Sequence, residues 1–345
     1  MRALRVVALA GVAAAALVGV AAGAASADPP AGTVPATTDI VAVGSNTTQA
    51  LFDLWSTHYN ATSPTAKFYS FDATGSATIQ TKNDPACANI ARPNGSSGGI
   101  NALNTGTKTA DGNYCVDVAR SSRQLTSSDG SVASVLLAHD GITWAANSTG
   151  NSVANLTVAQ LAAIYNCTDT KWNQVGGTST ATIVPVLPQA NSGTRSTFLS
   201  DIGVSTPGTC VVNGDGSQAI EENEGTNAAF TGTNAANVLV PFSIGSYISQ
   251  VDLGTSTNQV GSLTPRQIQS IAPTTGTGTS TIINKSFPFI RGLFAVVRGS
   301  SVPAYLQPLL GNSNATGWVC GSTAAADIAS QGFLTVPNCG TLTVA

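Results

Sequence analysis

Along the chain, short apolar runs alternate with stretches whose apolar residues recur every three or four positions. "DIVAVGS" (39–45) is a continuous apolar run closed by Gly-Ser, which predicts a short buried strand. "TTQALFDLWSTHYN" (47–60) comes next, with Ala50, Leu51, Leu54, Trp55 and Tyr59 at helical spacing. "AKFYSFDA" reads as a strand, and "NGSSGGINALNTG" as a glycine-rich turn leading into a short helix. "YCVDVARSS" and "GITWAAN" are strand-like. In "LTVAQLAAIYNC", Thr157 and Gln160 have the spacing of a capping box ahead of the stripe Leu161, Ile164 and Tyr165. "TIVPVLPQ" is a strand that runs into "ANSGTRSTFLSDIG", whose second half predicts a helix closed by Gly203. "VLVPFSIGSYI" supplies a strand and turn, and "LTPRQIQSIAP" repeats the capping spacing with Pro265 in a permitted first-turn position, predicting a helix. "FPFIRGLFAVVRG" is a strongly apolar strand, and "VPAYLQPLLG" a helix candidate. Strands alternating with helices imply an α/β fold with largely parallel pairing.

The first residues change this picture at one end. "MRALR" followed by "VVALAGVAAAALVGVAAG" and Ala25-Ser26-Ala27 has the form of a secretory signal peptide, residues 1–27, cleaved after Ala27. A retained membrane anchor is the alternative reading of the same run. No cysteine stands at the cleavage point, so lipid attachment there is not expected, and the mature protein is expected to be secreted, with a cell-surface association left open. The mature chain is long enough for two ordinary domains or one large one.

Charge is sparse: the whole chain of 345 residues carries 14 Lys and Arg against 17 Asp and Glu, a net −3, and losing Arg2 and Arg5 makes it more acidic. Such a chain is not a general nucleic-acid binder. The six cysteines Cys87, Cys115, Cys167, Cys210, Cys320 and Cys339 all lie beyond the leader, and an even count in an exported chain argues for three disulfides. The sequential pairing Cys87–Cys115, Cys167–Cys210 and Cys320–Cys339 is expected because each would close a loop-rich segment containing Gly or Asn. The chain-entropy model gives about 3–4 kcal/mol for each such loop. With two histidines and no C-x-x-C pair, neither a metal site nor a cofactor is expected.

Four turns end strands with small hydroxyl residues: Gly44-Ser45-Asn46-Thr47-Thr48, Gly95-Ser96-Ser97-Gly98-Gly99, Ser121-Ser122-Arg123 and Ser192-Gly193-Thr194-Arg195. Singly, each reads as helix-capping or turn chemistry. Together they have the composition of an oxyanion seat. Hydroxyls and free N–H groups at helix starts donate hydrogen bonds, glycine permits close approach, and arginine adds charge-assisted contacts. In open α/β sheets ligands gather at the carboxyl ends of strands, where these turns fall.

These residues resemble the periplasmic-type phosphate-binding proteins, substrate-binding components of phosphate ABC importers, in an actinobacterial-looking form. "NSGTRSTF" is similar to that family's G-S-G-T-R-x-x-F anion loop, and "LTVAQLAAIYNCTDTKWNQVGG" to its L-T-x-x-Q-L-x-x-I-F…W-N segment. "VAVGSNTTQALFDLW", "NGSSGGINAL", "VDVARSSR" and "PFSIGSYI" resemble further family segments in the same order. The resemblance implies a type II two-lobed fold whose lobes, 38–142 with 285–345 and 143–284, are joined by strands crossing near "HDGITWA" and "FPFIRGLF". It implies a monomer that binds a small oxyanion, phosphate first, with an ABC permease as partner and no catalysis. As ligand contacts it implies Ser45, Thr47, Thr48, Ser96, Ser97, Ser121, Ser122, Arg123, Ser192, Gly193, Thr194 and Arg195, so that Arg195→Ala is expected to cost several kcal/mol of anion affinity.

The chain departs from the family at three places. Pro188 replaces the arginine that opens the anion loop, Asn191 replaces its first glycine, and Ser122 stands where the family's third loop presents an aspartate. Losing that acceptor weakens the preference for a protonated anion, so sulfate and phosphorylated or carboxylated organic anions stay open beside phosphate. Glu221, Glu222 and Glu224 in "AIEENEG" either neutralise Arg195 or favour a helix start.

Two other functions fit parts of the chain. Gly95-Ser96-Ser97-Gly98-Gly99 satisfies G-x-S-x-G, and Ser97 with His139 and one of Asp111, Asp117 or Asp129 would make a serine hydrolase. Pro93 and Asn94 stand where that motif needs a strand. The missing lipid-attachment cysteine would suit a non-transporting surface or adhesion protein on the same fold.

Overall fold

The computed structural model describes residues 28–215, 220–312 and 314–345. The expected signal peptide and its cleavage point lie outside the described residues.

The N-terminal third builds β1 (Ile40–Gly44), α1 (Gln49–Ala61), β2 (Phe68–Ser70), α2 (Gly95–Thr105) and β3 (Val118–Ser121). β1 pairs in parallel with both β2 and β3. α1 forms because Leu51, Phe52, Trp55 and Tyr59 make one buried stripe, which docks on Phe68 and Trp318 through edge-on ring contacts.

β4 (Val132–Asn147) is a single strand of 16 residues, buried almost throughout. Only its second half, "GITWAAN", is expected from the sequence; the strand in fact begins directly after the turn Asp129-Gly130-Ser131 and runs through "VASVLLAHD" without a break. α3 (Val158–Tyr165) comes after it, with the expected capping box of Thr157 and Gln160. Next come β5 (Val184–Leu187), α4 (Gly193–Asp201), β6 (Val212–Asn213), β7 (Val238–Ser243), β8 (Leu263–Pro265), β9 (Ile290–Arg298) and α5 (Ser322–Ser330).

The main sheet runs β2-β1-β3-β9-β4-β7-β5-β6. Parallel pairing holds only toward its two ends, where β2, β1 and β3 associate and where β7, β5 and β6 do. β9 is antiparallel to β3 and β4, and β4 is antiparallel to β7 and β8. The expected largely parallel sheet is therefore mixed. The long strands that cross between the halves must return, and return reverses direction.

Along β4 the partner changes. Val132–Gly141 pairs with β9, and from Ile142 onward the partners are β7 and then β8. The change falls inside "HDGITWA", and β9 carries "IRGLF". Core side chains divide accordingly. Ile40, Trp55, Phe68, Leu293 and Leu306 belong to one cluster, and Trp144, Tyr165, Phe198 and Leu239 to another.

"LTPRQIQSIAP" is not a helix. Leu263–Pro265 adds to the edge of β4, Arg266 N donates to Trp144 O, and Gln269 and Ser270 adopt left-handed backbone angles. Burial of Leu263 and Ile268 on separate pairing strands overrides the local capping pattern. The disulfides join Cys87–Cys115, Cys167–Cys210 and Cys320–Cys339, the sequential set. "VPAYLQPLLG" forms two short helical turns, Ala304–Leu306 and Gln307–Leu310.

Candidate functional site

The first hydroxyl turn leaves β1 at Gly44, whose φ of +120° and close approach to the Arg120 carbonyl exclude a side chain. Arg120, completely buried on β3, holds this turn from below. Its Nε donates to Ser45 O at 3.1 Å and its Nη1 to Ser70 Oγ at 2.7 Å and Phe71 O at 2.8 Å. Burial lowers its pKa to about 10, with Asp53, Asp72 and Asp28 opposing the shift, so it stays charged at neutral pH.

The second and third turns meet the first. Ser96 Oγ accepts from Ser122 N at 3.0 Å and lies 3.3 Å from Ser122 Oγ, and Ser45 Oγ donates to Ser122 Oγ at 3.1 Å. The fourth turn enters from the other half of the molecule. Ser192 caps α4 by accepting from Arg195 N at 3.0 Å, and Thr194 Oγ1 lies 3.2 Å from Thr47 Oγ1. A Cβ on Gly193 would run into the hydroxyls of Ser96 and Ser122, so glycine is what lets α4 approach them. Ser45, Thr47, Ser96, Ser122, Ser192, Gly193 and Thr194 thus converge in one buried cradle.

The other expected contacts point elsewhere. Arg195 does not face the cradle. Its guanidinium donates to Pro188 O, Asp215 Oδ2 and Asn213 Oδ1 at 3.0, 3.3 and 3.0 Å. The reason is helical geometry. Once Ser192 caps α4, Arg195 lies one turn in and projects beside the helix toward the loop after β6. Arg123 is bound bidentately by Asp129 at 2.7 and 2.8 Å and donates to Ser97 Oγ at 3.1 Å, which removes both Arg123 and Ser97 from the cradle. Ser121 Oγ accepts from Arg123 N and donates to Arg123 O within its own turn. Thr48 is buried beside α1 with its hydroxyl unbonded.

Three residues not expected as ligand contacts from the sequence complete the site. Arg291, on β9, donates through Nη2 to Thr194 Oγ1 at 3.0 Å and Thr47 Oγ1 at 3.5 Å, and through Nη1 to Ser122 O at 3.0 Å. It brings a guanidinium to the cradle from β9, far in sequence from the loop that Pro188 opens. Asn223 donates to Thr47 Oγ1 at 3.1 Å and accepts from Ser243 N at 3.0 Å. Glu222 places its carboxylate inside the cradle. Its Oε2 accepts from Ser192 Oγ at 2.5 Å and Thr194 N at 3.2 Å, and its Oε1 from Thr47 N at 3.3 Å and Ser45 Oγ at 3.5 Å. Neither expectation for the acidic triplet holds for Glu222: it does not neutralise Arg195, and it starts no helix. Its only sequence signal was three carboxylates in a charge-poor chain.

Glu221 lies alongside, accepting from Asn94 Nδ2 at 2.8 Å and Gln189 Nε2 at 3.1 Å. Burial, aided by the neighbouring carboxylates of Glu222 and Glu224, raises its pKa to about 7 against the hydrogen bond from Asn94. A cleft of about 590 Å³ adjoins the cradle at Thr47 and Asn223. Asp28, Asp53, Asp72 and Glu224 stand in its wall. The buried hydroxyl and backbone N–H donors converge in the cradle and not on the cleft, so the cradle is the candidate seat for an anion.

A hydrolase arrangement does not form. Ser97 is held by Arg123, Asp129 by Arg123, Asp117 by Lys82 at 2.9 Å, and Asp111 by Thr37 and Thr109, while His139 lies within β4. Among the described residues no group of three His, Cys, Asp or Glu is placed to hold a metal ion, and no helix is long and apolar enough to cross a membrane.

Strands crossing between two cores, with polar helix starts converging between them, define a two-lobed ligand-binding protein. The chain belongs to the PBP superfamily, whose domain model matches residues 29–303. Its fold is similar to that of an ABC-type phosphate transport receptor from Vibrio cholerae, at 21% identity, TM-score 0.56, and coverage of 86% of this chain and 100% of that one. It is also similar to a putative phosphate ABC transporter substrate-binding protein from Clostridium perfringens with phosphate bound, at 18% identity, TM-score 0.56, and coverage of 86% and 99%. No curated protein matches the chain.

Proposed function

We propose that this protein captures a tetrahedral oxyanion, phosphate, between two lobes and delivers it without chemical change, as the extracellular substrate-binding component of an ABC importer. The lobes are 38–142 with 285–345 and 143–284. The observation that carries the reading is the cradle itself. Hydroxyl and backbone N–H donors of Ser45, Thr47, Ser192 and Thr194 already surround one pair of carboxylate oxygens. The Arg291 guanidinium closes the rim at Thr194 and Thr47. Buried donors at a helix start, with one guanidinium, are the chemistry that desolvates and holds a phosphate group. The phosphate-bound relative with the same fold supports the choice of anion.

The protein acts as a monomer and works outside the membrane, its permease partner recognising the closed lobes. The crossing strands serve as the hinge on which the lobes close. The test is thermal denaturation and calorimetric titration of the protein from Asp28 onward with phosphate, sulfate and phosphate esters. Phosphate is expected to raise Tm and to release or absorb heat at one site per chain, both diminished by Thr194→Val. No response to phosphate at any concentration, with a response to another anion, would overturn the choice of phosphate.

A further inference from the structure

The cradle is occupied by the chain itself. Glu222 is 1% exposed, and its two oxygens take four donors, two from each lobe: Ser45 Oγ and Thr47 N on one side, Ser192 Oγ and Thr194 N on the other. These are the groups that an external oxyanion would need. The surroundings also limit what enters. Arg291 is committed to Asp140 through Nε at 3.1 Å and Nη2 at 2.8 Å, so the buried group already holds two carboxylates for one guanidinium, with Glu221 and Glu224 close by in sequence. Adding a phosphate beside Glu222 would bury a third anion in the same place, against Arg291, already shared with Asp140, and Arg120, whose guanidinium is spent on the backbone of the first turn and lies among Asp28, Asp53 and Asp72.

We propose that Glu222 is the resident anion of the cradle, a carboxylate carried by the chain that an external oxyanion must displace. It is then a specificity-determining residue. Binding becomes an exchange of partners in which the donors are satisfied before and after, and affinity measures the difference between the two anions. A tetrahedral dianion gains over Glu222 because it offers charge and acceptor oxygens that a monocarboxylate lacks. Formate, acetate and nitrate gain nothing, and the wild-type site rejects them. This inference rests on the anion-capture reading above and specifies how that site selects.

The experiment compares wild type with Glu222→Ala and Glu222→Gln, using phosphate, sulfate, formate and acetate as probes in calorimetry and thermal denaturation. Glu222→Ala is expected to bind phosphate at least ten-fold tighter than wild type, equivalent to about 1.4 kcal/mol. It is also expected to acquire binding of formate and acetate, which restore its Tm. If Glu222→Ala does not fold, Glu222→Gln, which removes the charge and keeps the shape, is expected to show the gain in phosphate affinity to a smaller degree. Weaker phosphate binding in either variant would overturn the inference, because Glu222 would then be an acceptor for a protonated phosphate. Wild type binding phosphate as tightly as Glu222→Ala would also overturn it, while leaving the phosphate reading intact. Formate and acetate binding to Glu222→Ala with no phosphate binding would support the inference and end the phosphate reading. No response to any anion in either variant would overturn the inference.

Discussion

Arg291 and Asp140 are direct cross-strand neighbours in β9 and β4, and their side chains close an ion pair of 2.8 Å with side-chain exposures of 3% and 0%. The second oxygen of Asp140 accepts from Gly141 N at 2.8 Å and Gly245 N at 3.0 Å. One carboxylate thus secures the point where β4 exchanges one partner strand for another, while the guanidinium it holds reaches the cradle through Thr194. The crossing and the anion seat share a single buried pair.

Arg291→Ala leaves the Asp140 carboxylate buried without its cation, and is expected to cost about 3–5 kcal/mol of stability. Urea denaturation measures this. Arg291→Ala with Asp140→Asn is expected to recover part of the loss, because the orphaned charge is then gone. A double variant as unstable as the two single losses added together would show that the residues act independently.

Arg195 and Ser192 separate position in sequence from position in space. Arg195→Ala removes contacts to Asn213 and Asp215 outside the cradle, and is expected to change phosphate binding by no more than about 1 kcal/mol. Ser192→Ala removes both a cradle donor and the cap of α4. It is expected to lose roughly 1 kcal/mol of stability together with a larger part of the affinity. Calorimetric titration of the two variants side by side decides the matter, and a larger affinity loss for Arg195→Ala would restore the expectation drawn from the motif.

Gly193→Ala inserts a methyl group against the hydroxyls of Ser96 and Ser122. Overpacking of this kind costs about 1–3 kcal/mol, here concentrated on the contact between the lobes. Small-angle scattering is expected to show a more open average shape for Gly193→Ala than for wild type. An unchanged profile with unchanged affinity would show that the contact yields without effect.

Glu221 gives the protein a pH dependence near neutrality. Its folded-state pKa is about 7 against an ordinary value of 4.5, so the folded chain holds this proton where the unfolded chain has released it. Stability therefore declines as pH rises from about 4.5 to about 7 and levels off above. Glu221→Gln keeps an acceptor for Asn94 and removes the penalty. It is expected to raise stability on the order of 1–3 kcal/mol at about pH 8, and to change it little at about pH 4.5. Chemical denaturation at the two pH values is the measurement, and a gain at the lower pH alone would contradict the assignment.

By itself the sequence determined the local pieces. Apolar spacing marked α1 and α3, Thr157 and Gln160 marked a capping box, and small hydroxyls, with glycine beside them in three turns and Arg123 in the fourth, marked the turns that became Ser45–Thr47, Ser96, Ser122 and Ser192–Thr194. These are legible because a cap or a turn is satisfied by residues two to four positions away. Only the tertiary structure decided which charges meet the cradle. Arg291 reaches Thr194 across 97 residues and Glu222 reaches Ser192 across 30, both placed by strand crossing and lobe contact with no motif around them. Arg195, three positions from Ser192, was drawn out of the site by the same helix that the motif announced. Short-range hydrogen bonding leaves a pattern in neighbouring letters, whereas a buried ion is placed by whichever strands happen to pass, and that depends on the packing of the whole molecule.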